Sequence, residues 1–314
     1  MAQTQLSIPF RQNTHGNIPY TMTNDYMFRA VLQSNNKVLR GLICSLLHLT
    51  ESEIHSVVIT NPIVLGEAIE SKELRLDVNV WLNNNTRINL EMQVANKLNW
   101  KDRSLLYLCR SFDNLRHGQD YLEIQPTIHI GFLNYTLFKD NPEFYATYKL
   151  ENVKTHHIYS DKFTLCVVDL TCIDLATDED RKYHIDSWAA LFKATTWEEI
   201  NMIASKNEYL NEASNSIFQF NTDEQIRKLC RDREEYYQDL RNYDRVIAHN
   251  ESVISKQNFT IEEQNSTIEE QNSTIEEQNS TIKEQSSTIN EQAALIQKLT
   301  DEINALKKQT NHQF

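Results

Sequence analysis

Two carboxylates, Asp77 and Glu91, sit in neighbouring segments whose residues alternate with the period of a β-strand. In LRLDVNVWL (74–82), Leu74, Leu76, Val78, Val80 and Leu82 share one face, and Arg75, Asp77, Asn79 and Trp81 share the other. In RINLEMQV (87–94), Ile88, Leu90, Met92 and Val94 oppose Arg87, Asn89, Glu91 and Gln93. Asn83, Asn84 and Asn85 separate the two segments, so a hairpin is predicted. With the turn centred on Asn84–Asn85, paired positions sum to about 168–170, which sets Asp77 across from Glu91 or Gln93. Facing carboxylates repel. A divalent cation between them removes the conflict, since Mg²⁺ takes one or two carboxylates plus waters and substrate phosphate. The competing reading is a wet face on which Arg75 or Arg87 neutralises the acids.

The elements that position this hairpin follow from the same periodicities. Helices are predicted over 24–34 (NDYMFRAVLQS), 36–48 (NKVLRGLICSLLH) and 99–117, with further strands near 56–60, 127–134 and 163–170. The order α, β, β-hairpin, α, β describes a mixed α/β domain. Residues 186–220 are helical in pattern, with Trp188, Leu191, Phe192, Trp197, Ile200 and Ile203 on one face. The globular domain is placed at 1–220 and a long helix with heptad repeats at 221–314.

That C-terminal part is a repeat. TIEEQNS begins at 260, 267 and 274, and TIKEQSS and TINEQAA follow. Isoleucine recurs every seven residues from Ile247 through Ile303, and neither Pro nor Gly occurs after Pro142. A coiled coil and a homo-oligomer are therefore expected. With isoleucine at a, glutamines such as Gln264 and Gln271 fill d in the middle; with isoleucine at d, Asn258 and Asn265 fill a. The last heptads favour the first register, because Ile296/Leu299 and Ile303/Leu306 then occupy a and d.

Composition narrows the function classes. Five scattered glycines exclude a P-loop and a dinucleotide-binding GxGxxG, which need clustered glycines against phosphates. Apolar runs are too short to span a bilayer, so no membrane partner is expected. The N-terminus lacks a basic segment leading into an apolar stretch, and five cysteines fit neither a disulfide framework nor a CxxC site; a cytoplasmic protein is expected. The net charge of −13 argues against nucleic acid only weakly, because residues 251–308 hold 11 acidic against 5 basic side chains. Catalytic carboxylates add to such a charge while still acting on DNA through a bound metal.

The strings TNDYMFRAVL, KELRLDVNVWLNNNTRINLEMQ, RSLLYLCRSF and IHIGFLN carry a family resemblance. From about Thr23 to Leu137 the chain resembles the PD-(D/E)XK nuclease superfamily, and within it the Rpn recombination-promoting nucleases, also described as PD-(D/E)XK-type transposases. The resemblance implies a restriction-endonuclease-like core: a mixed sheet flanked by helices. It also implies that Asp77 and Glu91 bind the metal (Mg²⁺, or another divalent cation such as Mn²⁺ or Ca²⁺) and that Asp25 is the acid of the first core helix. Gln93 stands where many members have lysine, and Arg103 and Tyr107 match a basic and aromatic pair after the motif. A neutral amide orients water but carries no charge, and Lys72 is the sequence's candidate to lend it.

The function implied is metal-dependent endonucleolytic hydrolysis of DNA phosphodiesters that promotes recombination. Asp77, Glu91, Gln93 and Asp25 form the catalytic set, and Lys72, Lys97, Lys101, Arg103, Tyr107 and Arg110 are candidate contacts to the DNA. Two rivals stand beside it. One is a catalytically degenerate DNA-binding and assembly protein oligomerised by its coiled coil. The other, ranked lower for want of a helix-turn-helix, is a transposase performing strand transfer.

Overall fold

The computed structural model describes residues 13–63, 77–96, 98–115 and 117–310. Lys72, Lys97 and the predicted strand positions Leu74, Arg75 and Leu76 lie outside the described residues. The chain divides into two compact units, Met1–Asp239 and Leu240–Phe314.

The first unit is built on one six-stranded mixed sheet. Its strands are β1 (Val57–Ile59), β2 (Val78–Leu82), β3 (Thr86–Gln93), β4 (Thr127–Leu133), β5 (Tyr145–Glu151) and β6 (Ile158–Asp169), in spatial order β1-β2-β3-β4-β6-β5. β1, β2 and β3 run antiparallel, β3, β4 and β6 are mutually parallel, and β5 returns antiparallel along β6. The β2–β3 turn closes because Asn83 and Asn84 accept positive φ of 51° and 57°. Leu82 pairs Thr86 and Val78 pairs Leu90, so the turn is centred on Asn84, and one further step in that register sets Asp77 opposite Glu91 rather than Gln93.

Helix α1 (Asp25–Ser34) starts where the Asn24 side chain accepts hydrogen bonds from the N–H groups of Tyr26 and Met27. With α2 (Asn36–Leu47) it covers one face of the sheet. Val78, Val80, Leu90, Ile130, Phe132 and Val168 are buried there, and Phe28 meets Phe132 with ring centroids 5.4 Å apart. The other face is covered by α3 (Trp100–Phe112), which makes the crossover between the parallel strands β3 and β4. Trp100 lies so close over Gly131 that a Cβ there would stand 2.1 Å from its ring, which is why β4 carries glycine at this point.

Short α4 (Asp178–Lys182) precedes α5 (Ile185–Lys193), α6 (Trp197–Ala204) and α7 (Glu208–Thr222), which complete the apolar layer. The helical pattern read over 186–220 is realised as three helices, with Thr196 and Asn207 capping the second and third. β5 was not anticipated: five of its seven residues are exposed, so it has no alternating apolar signature.

Helix α8 runs Glu224–Thr310. Its first turns belong to the first unit, where Ile226, Leu229 and Cys230 are buried. In the second unit the helix presents its recurring isoleucines to solvent, and Ile261, Ile268 and Ile275 are about half exposed. The repeated threonines Thr260, Thr267, Thr274 and Thr281 return a hydroxyl bond to the carbonyl four residues back. All five cysteines are free, and among the described residues no helix is long and apolar enough to cross a membrane.

Candidate active site

The polar face of the β2–β3 hairpin looks onto α3. Glu91 and Gln93 alternate on that face of β3, and both are buried although they are polar. Their common partner is Arg103, one turn into α3: its guanidinium is ion-paired with Glu91 and donates to Gln93 Oε1 at 3.3 Å. The other end of the Gln93 amide donates to the Ala95 carbonyl at 2.9 Å, so its orientation is fixed. Burial works against the charge of Arg103, but Glu91 and then Tyr107 outweigh it and raise its pKa. Arg103 also lies over the Tyr107 ring, 5.2 Å from its centroid. The cation beside Gln93 among the described residues is therefore Arg103.

Asp77 joins this face through Asn89, whose Nδ2 donates to Asp77 Oδ2 at 2.5 Å and to Asn79 Oδ1 at 2.6 Å. Asn89 Oδ1 is buried with no hydrogen-bond partner among the described residues. The main chain at Asp77 is held from the opposite side of the sheet. The fully buried Arg29 of α1 donates to the carbonyls of Asp77 and Asn61, and Asn61 Nδ2 donates to the same Asp77 carbonyl at 3.0 Å. Burial lowers the pKa of Arg29 to about 10, against the opposing pull of Asp77, so the guanidinium stays charged at neutral pH.

Asp25, one helical turn before Arg29, is buried and bound elsewhere. Arg233 of α8 grips it with Nε at 3.1 and 3.2 Å from its two oxygens, and the Tyr237 hydroxyl donates to Oδ2 at 2.7 Å. Tyr237 is also close enough to Arg103 to contribute to its raised pKa, which brings the root of α8 to the edge of the Glu91–Arg103 pair. Among the described residues no group of three His, Cys, Asp or Glu side chains gathers as a metal cluster, so Asp25 does not join Asp77 and Glu91 in one.

His129 was not anticipated. It pairs with Asn89 in the β3–β4 ladder, is fully buried, and sits between Trp100 and Tyr107, with its Nε2 3.7 Å from Glu91. Burial, followed by the charge of Arg103, lowers its pKa to about 3, so at neutral pH it meets Glu91 as an uncharged ring rather than as an ion-pair partner. Tyr135 packs against the cluster of Trp100, Leu133 and Val167; burial and then the Glu91 charge push its hydroxyl up to about 12. Lys101 is exposed and lies over Phe138, whereas Arg110 faces a groove beside the hairpin. Of the residues sequence reasoning missed, only Asn89 had a signal, its place two positions before Glu91 on the polar face. Arg29, His129, Arg233 and Tyr237 are brought in by helix packing and strand pairing that no local pattern encodes.

A family model described as PD-(D/E)XK nuclease family transposase matches residues 22–246. No curated protein and no solved structure matches the chain.

Proposed function

Because the chain belongs to the PD-(D/E)XK nuclease family of transposases, we propose that it is a metal-dependent endonuclease hydrolysing DNA phosphodiesters, with Asp77 and Glu91 as its metal-binding carboxylates. The observation that carries this reading is the donor set on the polar face of the hairpin. Asp77 and Glu91 extend the β2–β3 register as a facing pair, and the buried, unpartnered Oδ1 of Asn89 lies on the same face. All three offer hard oxygen, the donor type that Mg²⁺ and Mn²⁺ prefer. A divalent cation bound there supplies Lewis acidity toward a phosphoryl oxygen and a water of lowered pKa.

The chain's own residues do the rest. Arg103 gives the positive charge that Gln93 lacks and faces the charge that develops on the phosphoryl group. Gln93, clamped at both ends of its amide, fixes that guanidinium relative to Glu91. Arg29 and Asn61 set the main chain at Asp77, so the carboxylate is aimed before substrate arrives. Asp25 acts at one remove, by seating the root of α8 against α1. Arg110 and Lys101 contribute backbone contacts that depend on salt rather than sequence.

The heptad isoleucines support self-assembly. A helix of this length with apolar side chains at one heptad position and no partner leaves them in water, and a second copy presents the same stripe. Two nuclease units carried by one such rod make paired cuts, the kind of end that recombination consumes.

The test is cleavage of supercoiled plasmid with Mg²⁺, Mn²⁺, Ca²⁺ or EDTA, comparing wild type with Asp77→Asn and Glu91→Gln. Metal-dependent nicking lost in both variants supports the reading. Folded wild-type protein that fails to cut with any of these metals moves the conclusion to a DNA-binding assembly protein.

A further inference from the structure

Beside the carboxylates, a groove of about 490 Å³ lies between the β2–β3 hairpin and the last turn of α3. Its walls include Asn79, Trp81, Arg87, Asn89, Arg110 and Ser111, and none of its described lining residues is acidic. In a chain of net charge −13, a concavity with two arginines and no carboxylate is a local reversal of sign. Neither Arg87 nor Arg110 has an ion-pair partner among the described residues, so both guanidiniums are available to an incoming anion. Arg103, by contrast, is paired with Glu91.

Trp81 supplies the second element. It pairs directly with Arg87 across the hairpin, and the guanidinium lies 5.0 Å from its ring centre. Trp100, Trp188 and Trp197 are each at most 4% exposed, whereas Trp81 is half-buried with its ring at the groove wall. An aromatic face next to unpaired arginines is the combination that holds a base and its phosphate together. The volume is within the range of small-ligand sites.

Position completes the argument. Asn89 lines the groove and also donates to Asp77, so whatever fills the groove ends beside the proposed metal carboxylates. Resting on the nuclease reading, the geometry points to a subsite for one unpaired nucleotide adjoining the scissile phosphate. Its base packs against Trp81 and its phosphate lies between Arg87 and Arg110. The preferred substrate is then DNA with a single-stranded or frayed segment next to the cut, because a base stacked inside a duplex cannot reach the Trp81 face.

The experiment uses the full-length protein in EDTA and reads tryptophan emission during titration with oligothymidylate of about 12 nucleotides. Emission should be quenched on binding, and the quench should vanish in Trp81→Phe. Arg87→Ala and Arg110→Ala should each weaken binding about 10-fold and lower the salt slope by about one, while Arg87→Lys and Arg110→Lys retain most of the affinity. Inorganic phosphate alone should leave the emission unchanged, and a blunt duplex of equal length should quench it less. The subsite is overturned if the quench persists in Trp81→Phe or if both alanine variants bind as wild type does. It is equally overturned if phosphate or the duplex reproduces the signal in full. Plasmid cleavage measured alongside separates the two claims: cutting without a quench removes the subsite and leaves the nuclease, and a quench without cutting does the reverse.

Discussion

Asp25 and Arg233 are 208 positions apart and form a largely buried ion pair, with Arg233 Nε 3.1 and 3.2 Å from the two carboxylate oxygens. The contact ties the start of the first helix to the third turn of the last, and Tyr237 adds a hydroxyl bond to the same carboxylate. Removing one member strands the other in a largely dry setting. Asp25→Ala should cost about 3 kcal/mol of stability, and the double variant with Arg233→Met should recover part of that loss. A double-mutant cycle by chemical denaturation measures the coupling; a value near zero would show that the pair does not hold α8 to α1.

Arg103 shares Glu91 with any cation that binds there. In Arg103→Gln the buried carboxylate loses its countercharge, so the metal-free protein should melt several degrees lower. Saturating Mn²⁺ should then raise the melting temperature of the variant more than that of wild type, because the ion replaces the missing charge. Plasmid cleavage should still fall by about 10²-fold, since an electrostatic donor to the reacting phosphoryl group is gone. Equal Mn²⁺ shifts in the two proteins would mean that Glu91 is not a ligand.

Arg29 reaches the active face through the carbonyls of Asp77 and Asn61 and through the Asn61 side chain, to whose Oδ1 it donates at 3.2 Å. Arg29→Met keeps the volume but removes the guanidinium bonds to the Asp77 and Asn61 carbonyls, leaving the Asp77 carbonyl its bond from Asn61 Nδ2; each lost charge-assisted bond is worth about 1.5–3 kcal/mol. Where the variant remains folded, cleavage should drop about 10²-fold from a small displacement of Asp77, with DNA affinity little changed. Anisotropy in EDTA measures the affinity, and a parallel loss of binding would contradict a purely positional role.

His129 makes metal-free stability depend on pH. Its folded pKa, about 3, lies below the ordinary 6.5 because burial and the Arg103 charge disfavour the imidazolium. Between those values the unfolded chain holds the extra proton. Its contribution is therefore whole above about pH 6.5 and declines as pH falls toward 3, by at most about 1.4 kcal/mol per unit. Glu91, Arg103 and Tyr107 face the ring, so the clean measurement is the difference between wild type and His129→Gln in EDTA. That difference should shift in favour of the variant on going from pH 7 to pH 5.

The heptad stripe is tested in the intact chain. Ile268→Glu with Ile275→Glu should convert an oligomer to a monomer by sedimentation while leaving single-strand nicking unchanged. Double-strand breaks should become rarer, because the two cuts then need separate encounters. Wild-type protein that sediments as a monomer would remove the assembly reading.

Local periodicity in the sequence determined much of the fold. Alternation and three asparagines set the hairpin and brought Asp77 level with Glu91 to within one register choice, because a strand's two faces and a tight turn are local properties. The seven-residue spacing of isoleucine marked the long helix for the same reason, and the strings around Asp77 and Glu91 pointed to the family. The tertiary structure decided what meets those residues. β5 has no alternating pattern because it is an exposed edge. The charge beside Gln93 comes from Arg103, whose direction depends on how α3 crosses the sheet. Arg29 fixes Asp77 through a carbonyl, a contact that leaves no side-chain signature. Asp25 answers to Arg233 across nearly the whole first unit, since buried charges select partners by proximity in the fold rather than in the chain.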